Sequence, residues 1–141
     1  ALYSSDLGRA MRTAQAIASR SGHDIVIDTG LRERQMGIFQ GLTVSEMKER
    51  FPQERSDYET IGFEYVIPGG ESAKTRLQRS IRVMTEIAGR HPGETVVAVT
   101  HGGFLRGFFE FVLSTPPGNG KRFKRSNASY SAFEYSGGEY V

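Results

Sequence analysis

The sequence has no cysteine. That excludes a disulfide scaffold, a cysteine nucleophile and a thiolate metal site. No apolar run approaches the roughly 18 residues of a membrane span. The longest candidate, Phe104 to Leu113, is interrupted by Arg106 and Glu110. No charged-then-apolar leader sits at the start. The 3 histidines, His23, His91 and His101, lie far apart and show no metal-ligand spacing. Gly118-Asn119-Gly120-Lys121-Arg122 lacks both the first glycine and the final Ser/Thr of a P-loop, and no G-x-S-x-G elbow exists in the chain. Internal repeats and low-complexity stretches are absent. Lysine is scarce: of the 18 basic residues, 4 are lysine and 14 are arginine.

What is present describes one ordinary domain, residues 1–141, long enough to bury a core. Hydrophobic residues make up 38% and charged residues 24%, the balance of a soluble globular chain. The arginine bias over a net charge of +2 suits bidentate binding of phosphate or carboxylate. A nucleic-acid binder would show clustered basic residues interleaved with aromatics. Only Lys121-Arg122-Phe123-Lys124-Arg125 looks like that, and it reads as a solvated loop. The expected partners therefore include no nucleic acid and no membrane, and the chain is expected in the cytoplasm.

Ala1-Leu2-Tyr3-Ser4 reads as the end of a strand, with no initiator methionine and no lead-in, so the domain is expected to begin in mid-fold. Ser5 or Asp6 is expected to cap a helix running to about Arg20, with Leu7, Ala10, Met11, Ala14, Ile17 and Ala18 on its apolar face. Ser21-Gly22 ends it. Ile25 to Ile27 is a short strand, and Leu31 to Gly41 reads as a long loop. Thr43 or Ser45 begins a short helix ending near Phe51-Pro52. The polar stretch from Gln53 to Gly70 should be a surface excursion. Ser72 caps a helix to about Arg90, with Leu77, Ile81, Met84, Ile87 and Ala88 facing in and Arg76, Arg79 and Arg82 mostly facing out. Thr95 to Val99 is the β-branched run of a strand covered on both faces. Gly102-Gly103 breaks it, and Phe104 to Leu113 is a helix. Thr115 to Gly120 is a loop. Tyr130, Ala132 and Phe133 to Tyr135 form a late strand before the Gly137-Gly138 turn. Strands alternating with helices give an α/β class with a largely parallel sheet.

Three segments carry chemistry. In Val99-Thr100-His101-Gly102-Gly103 a strand ends, a histidine follows, and glycines open a helix. Ligands of open α/β sheets bind beyond the carboxyl ends of strands, and helix N-termini favour anions. His101 is thus placed to touch a phosphate, or else is a packed histidine. Arg9 lies in a first helical turn, where a cation opposes the dipole, which marks it as a functional candidate. Arg12, one turn on, either shares the role or faces solvent. Glu33 is a carboxylate between Arg32 and Arg34. A partly buried Glu with a raised pKa supplies the proton that a leaving alkoxide needs; an exposed ion pair is the other reading. His23 and His91 sit beside turn residues and read as solvated.

In order along the chain these pieces resemble the histidine phosphatase superfamily, in its phosphoglycerate mutase-like branch. Ser5-Asp6-Leu7-Gly8-Arg9-Ala10 resembles its S-x-L-x-R-A segment. Leu31-Arg32-Glu33 with Gly37 and Gly41, the Gly69-Gly70-Glu71-Ser72 turn, and Thr100-His101-Gly102-Gly103 resemble three more. The resemblance implies a three-layer α/β sandwich with a mostly parallel central sheet. It implies that Arg9 binds the phosphoryl group, that His101 and the Gly102 N–H contact the same oxygens, and that Glu33 is the general acid. No metal and no cofactor are implied. The family's nucleophile is a histidine in an Arg-His-Gly motif that this chain does not contain. That motif, its strand and first helix would precede Ala1, so the 141 residues alone are expected to be inactive and poorly folded.

The leading expectation is a phosphatase of small phosphate monoesters acting through a phosphohistidine, with a small phosphorylated metabolite or inorganic phosphate as partner and a homodimer as one open assembly. The short Gly41 to Gly69 stretch, compared with the mutases' longer insertion, favours hydrolysis. Tyr58, Phe63 and Tyr65 either pack on an apolar leaving group or cover the sheet edge. A phosphoglycerate mutase and a non-catalytic phosphate-binding module are the alternatives. Ser126 to Ser129 resembles a phosphatase segment without an assigned role.

Overall fold

The structure, a computed structural model, describes residues 1–116 and 126–140. The basic run 121–125, the P-loop-like segment 118–122 and most of the loop expected over 115–120 lie outside the described residues.

Three short strands form a parallel sheet in the order β2-β1-β3: β1 is Leu2–Ser4, β2 is Ile25–Ile27 and β3 is Val97–Val99. Leu2 lies opposite both Ile25 and Val97, and Ser4 opposite both Ile27 and Val99. The helix α1, Gly8–Ser21, joins β1 to β2. A longer return through α2 (Val44–Arg50), α3 (Pro52–Ile61) and α4 (Ala73–Arg90) leads to β3, and α5 (Gly102–Val112) follows. The chain leaves β1 for one side of the sheet and comes back to the other. Right-handed crossovers then put α1 and α4 on opposite faces, which gives the three layers. Tyr3 points into a core built with Leu31, Val83, Ile87 and Phe104. Ala10 and Ala14 are the buried residues of α1.

The helix expected from Ser72 appears as α4, with the Ser72 hydroxyl accepting from the Thr75 N–H at 3.0 Å. Thr43 caps α2 in a reciprocal box with Glu46. Several expectations need correction. Neither Ser5 nor Asp6 caps α1, whose N-cap is Leu7; both side chains are committed to neighbours across the site. Val97 is 43% exposed, so β3 is not covered on both faces. It is an edge of the sheet, and β1 is the strand buried along its length. Gly102 and Gly103 begin α5 rather than precede it. The polar excursion after Gln53 contains α3, whose side chains supply too little apolar period to announce it. Leu31 to Gly41 starts at the end of one 3-10 turn, Thr29–Leu31, and holds another, Gly37–Phe39. Of the three arginines expected outside on α4, only Arg82 is exposed. Arg76 is buried against Gly107 of α5, and Arg79 reaches loop carbonyls. The late strand is shorter than expected. Tyr135–Ser136 pairs antiparallel with Glu139–Tyr140 across Gly137-Gly138, both at positive φ (61° and 90°), while Tyr130 is 94% exposed.

Candidate functional site

The register that sets Ser4 against Val99 brings the carboxyl ends of β1 and β3 side by side. The Ser5 N–H donates to the Val99 carbonyl at 3.0 Å, one step beyond the strands. The next residues, Ser5 and His101, therefore emerge together. His101 is 6% exposed. Its Nε2 lies 2.9 Å from Ser5 Oγ, and Arg9 Nε donates to its Nδ1 at 3.1 Å. Burial, and then the Arg9 charge, lower the His101 pKa from its ordinary value, so the ring is neutral near pH 7.

Glu33 arrives from the β2–α2 connection and lies over the start of α5. One carboxylate oxygen accepts from the Gly103 N–H at 2.8 Å and the other from the Arg34 N–H at 2.8 Å. A methyl at Gly103 would collide with that carboxylate. The flanking arginines do not pair with Glu33. Arg32 grips Asp6 in a two-pronged contact, Nε to Oδ1 at 2.7 Å, and this holds the Asp6 carboxyl below the usual range. Arg34 donates to the Glu71 carbonyl at 3.2 Å and to the Tyr58 hydroxyl at 3.3 Å.

The loop that presents Glu33 is clamped from α4. Arg79 donates to the carbonyls of Gly30 at 2.6 Å and Arg32 at 2.8 Å, and pairs with Glu71 at 2.6 Å. Glu71 in turn accepts from the Gln35 N–H at 3.0 Å. Glu71 belongs to the glycine turn singled out in the sequence, but its partner Arg79 was invisible there because helical periodicity sets arginine on the wet face. Ser5 and Asp6 both have the local signature of a helix cap, and neither carries a local signal of the site.

Arg9, Glu33, His101 and Gly102 line one trough of about 1440 Å³, which continues along β3 to residues 127–137. The structure thus brings the expected site residues together. Arg12 is exposed and folds back beside Gly8. Asn127, Ala128 and Ser129, from the segment without an assigned role, line the same trough. Tyr58 and Tyr65 do not; they stack edge-to-face at 6.2 Å, and Tyr58 also packs on Phe39 at 5.8 Å. Of the two alternatives for Tyr58, Phe63 and Tyr65, packing on a leaving group in this trough is not what the structure shows, since none of the three lines it; Tyr58 covers Phe39, and Tyr65 packs on Tyr58. His91 is not simply solvated. It bridges the Tyr3 hydroxyl at 2.9 Å and Glu94 at 2.8 Å, while His23 stays exposed. Among the described residues, no group of three or more His, Asp or Glu could hold a metal ion, and no helix is long and apolar enough to cross a membrane.

Chemically, the rim offers a guanidinium, an imidazole and a helix N-terminus facing one hollow, with a carboxyl group beside them. Those are the parts an anionic ester and its leaving oxygen require. Comparison with known proteins adds the following. The model of the histidine phosphatase superfamily (branch 1) matches residues 1–141. A phosphoglycerate mutase-like protein 4 of Arabidopsis thaliana is 36% identical over 140 residues, 98% of this chain and 60% of the relative. A metal-independent phosphoserine phosphatase of the same plant is 41% identical over 111 residues, 77% of this chain and 47% of the relative. A mycobacterial glucosyl-3-phosphoglycerate phosphatase, solved with inorganic phosphate, superposes with a TM-score of 0.71 at 31% identity, covering 87% of this chain and 63% of that one. The chain therefore spans about half to two thirds of the length of these relatives.

Proposed function

The chain belongs to the histidine phosphatase superfamily, branch 1, and on that premise we propose that its site hydrolyses small phosphate monoesters through a phosphohistidine. The observation that carries the reading is the Arg9–His101 contact of 3.1 Å at the rim of β1 and β3, with the Glu33 carboxylate beside it, held by the Gly103 N–H in the first turn of α5. The names of two relatives, phosphatases both, support hydrolysis.

In this reading Arg9, the His101 ring and the Gly102 N–H hold the phosphoryl oxygens and take up the charge that grows on them. A histidine from a strand preceding Ala1 attacks phosphorus. The P–O bond breaks as Glu33 gives its proton to the departing oxygen. Water then attacks the phosphohistidine, the N–P bond breaks, and the Glu33 carboxylate recovers a proton from that water. The edge of β3 turned away from β1 supports a contribution from such a strand, since it borders the trough.

A screen of phosphate monoesters on the full-length protein tests this. His101→Ala and Glu33→Gln should each lower kcat/KM by about 10²–10³. Undiminished turnover in either variant would remove that residue from the mechanism. The mutase-like relative keeps a second reading in view: activity that depends on a bisphosphorylated sugar acid would favour phosphoryl transfer over hydrolysis.

A further inference from the structure

We propose that Ser5 is a positioning residue of the site: its hydroxyl oxygen accepts a hydrogen bond from the Nε2–H of His101 and so keeps the Nδ1 lone pair turned into the trough. The inference rests on the reading above that Arg9 and His101 bind the phosphoryl group. An imidazole presents one donor and one acceptor when neutral. Arg9 Nε has only a proton to give, and it lies 3.1 Å from Nδ1. Nδ1 must then hold the lone pair, and the ring proton sits on Nε2, 2.9 Å from Ser5 Oγ.

Ser5 is built to accept that hydrogen bond. It is fully buried. Its N–H is tied to Val99 at 3.0 Å, and Oγ also accepts from the Leu7 N–H at 3.3 Å. A hydroxyl oxygen has two acceptor sites. One serves Leu7 at the start of α1 and the other serves His101 at the start of α5. The contact thus fixes the ring's tautomer and its orientation through both helix starts at once.

A chemical consequence follows for the ligand. An anion displacing Arg9 Nε from Nδ1 meets a lone pair, not a donor. The contact requires one proton on Nδ1, brought by a monoanionic phosphate or taken from solvent. Phosphate binding is therefore coupled to uptake of one proton relative to the dianion. The charges whose fields reach the ring are Arg9 from α1, which also touches it, Glu33 from the β2–α2 connection, Arg79 from α4 and Asp6 from the β1–α1 turn.

Nitrogen NMR of the histidine-labelled chain tests this, with His23 and His91 as internal comparison and inorganic phosphate as the probe. Without phosphate, His101 should show a single Nε2–H tautomer; with phosphate, both ring nitrogens should carry protons. Ser5→Thr should preserve the pattern. Ser5→Ala should give mixed tautomers and about tenfold weaker phosphate binding, with the affinity maximum moved along the pH axis. A wild-type ring protonated on Nδ1 overturns the proposal without recourse to any variant, and so does a Ser5→Ala protein with an unchanged tautomer and affinity. Phosphate that leaves the wild-type His101 signals untouched instead overturns the phosphate-site reading, while the tautomer comparison still decides the role of Ser5.

Discussion

Gly103 gives Glu33 its place. The carboxylate occupies the space a side chain would fill and hydrogen-bonds the N–H of the same residue. Gly103→Ala should therefore keep the fold, since alanine favours a helix by about 1 kcal/mol over glycine, yet push the carboxylate off its seat. We expect kcat of the full-length protein to fall about 10²-fold with melting temperature nearly unchanged; a variant with normal kcat would show that Glu33 is not the proton donor. His101 makes a pH prediction. Its folded pKa is lowered from 6.5 by burial and then by Arg9, whereas the unfolded ring protonates near 6.5. The unfolded state thus binds more protons below that value. The stability tied to a neutral ring is complete above pH 6.5 and is lost as pH falls below it, at most by about 1.4 kcal/mol per pH unit. Melting curves from pH 8 to pH 5 should show wild type losing more stability than His101→Gln; parallel losses would contradict a ring held neutral. Arg9, Glu33 and His101 were legible in the sequence because each stood at a strand end, a helix start or a loop with no packing reason to be there. Ser5 was not, because a serine at a turn has an ordinary explanation.

At the scale of elements, the connection from Gly30 to Gln35 has no regular structure of its own beyond a short turn, and α4 imposes its shape. Arg79 and Glu71 are largely buried, and each also bonds the loop backbone. Removing Arg79 leaves the Glu71 carboxylate without its cation and the Gly30 and Arg32 carbonyls without their donor. Arg79→Met should cost about 3 kcal/mol, the low end for a buried pair because this one keeps some exposure, and thermal unfolding measures it. A loss under about 0.5 kcal/mol would mean that the loop holds its shape unaided. The capped helices α2 and α4 were readable from Thr43, Ser72 and apolar spacing, since those signals are local. The inward turn of Arg76 and Arg79 was not, because their partners, Gly107 and the 30–32 carbonyls, come from elsewhere in the chain. α3 is illegible for a related reason: its one aromatic, Tyr58, meets Phe39 from elsewhere in the chain, and its other residues form no apolar stripe.

Over the whole molecule, the three-layer order and the site at the carboxyl ends of β1 and β3 follow from alternating strands and helices, and the sequence carried that alternation plainly. The extent of β3 was overread, because a β-branched run does not tell an edge from a centre. Alternation along a parallel strand turns the Val97 N–H toward β1, where it bonds Ala1 at 2.9 Å, and so turns the Ala98 amide toward the trough. Hydrogen exchange at Ala98 should be faster than at Val97 and Val99 in this chain, and slower in a longer chain that supplies a further strand; equal rates at all three would contradict an open edge. The most direct test of the whole account is calorimetric titration of inorganic phosphate against wild type, Arg9→Met, His101→Ala and the double variant. If the guanidinium and imidazole grip one anion, each single change weakens binding at least tenfold and the double variant loses less than the two losses combined. Wild-type affinity in either single variant, or two strictly additive losses, would mean that the two side chains do not share a ligand.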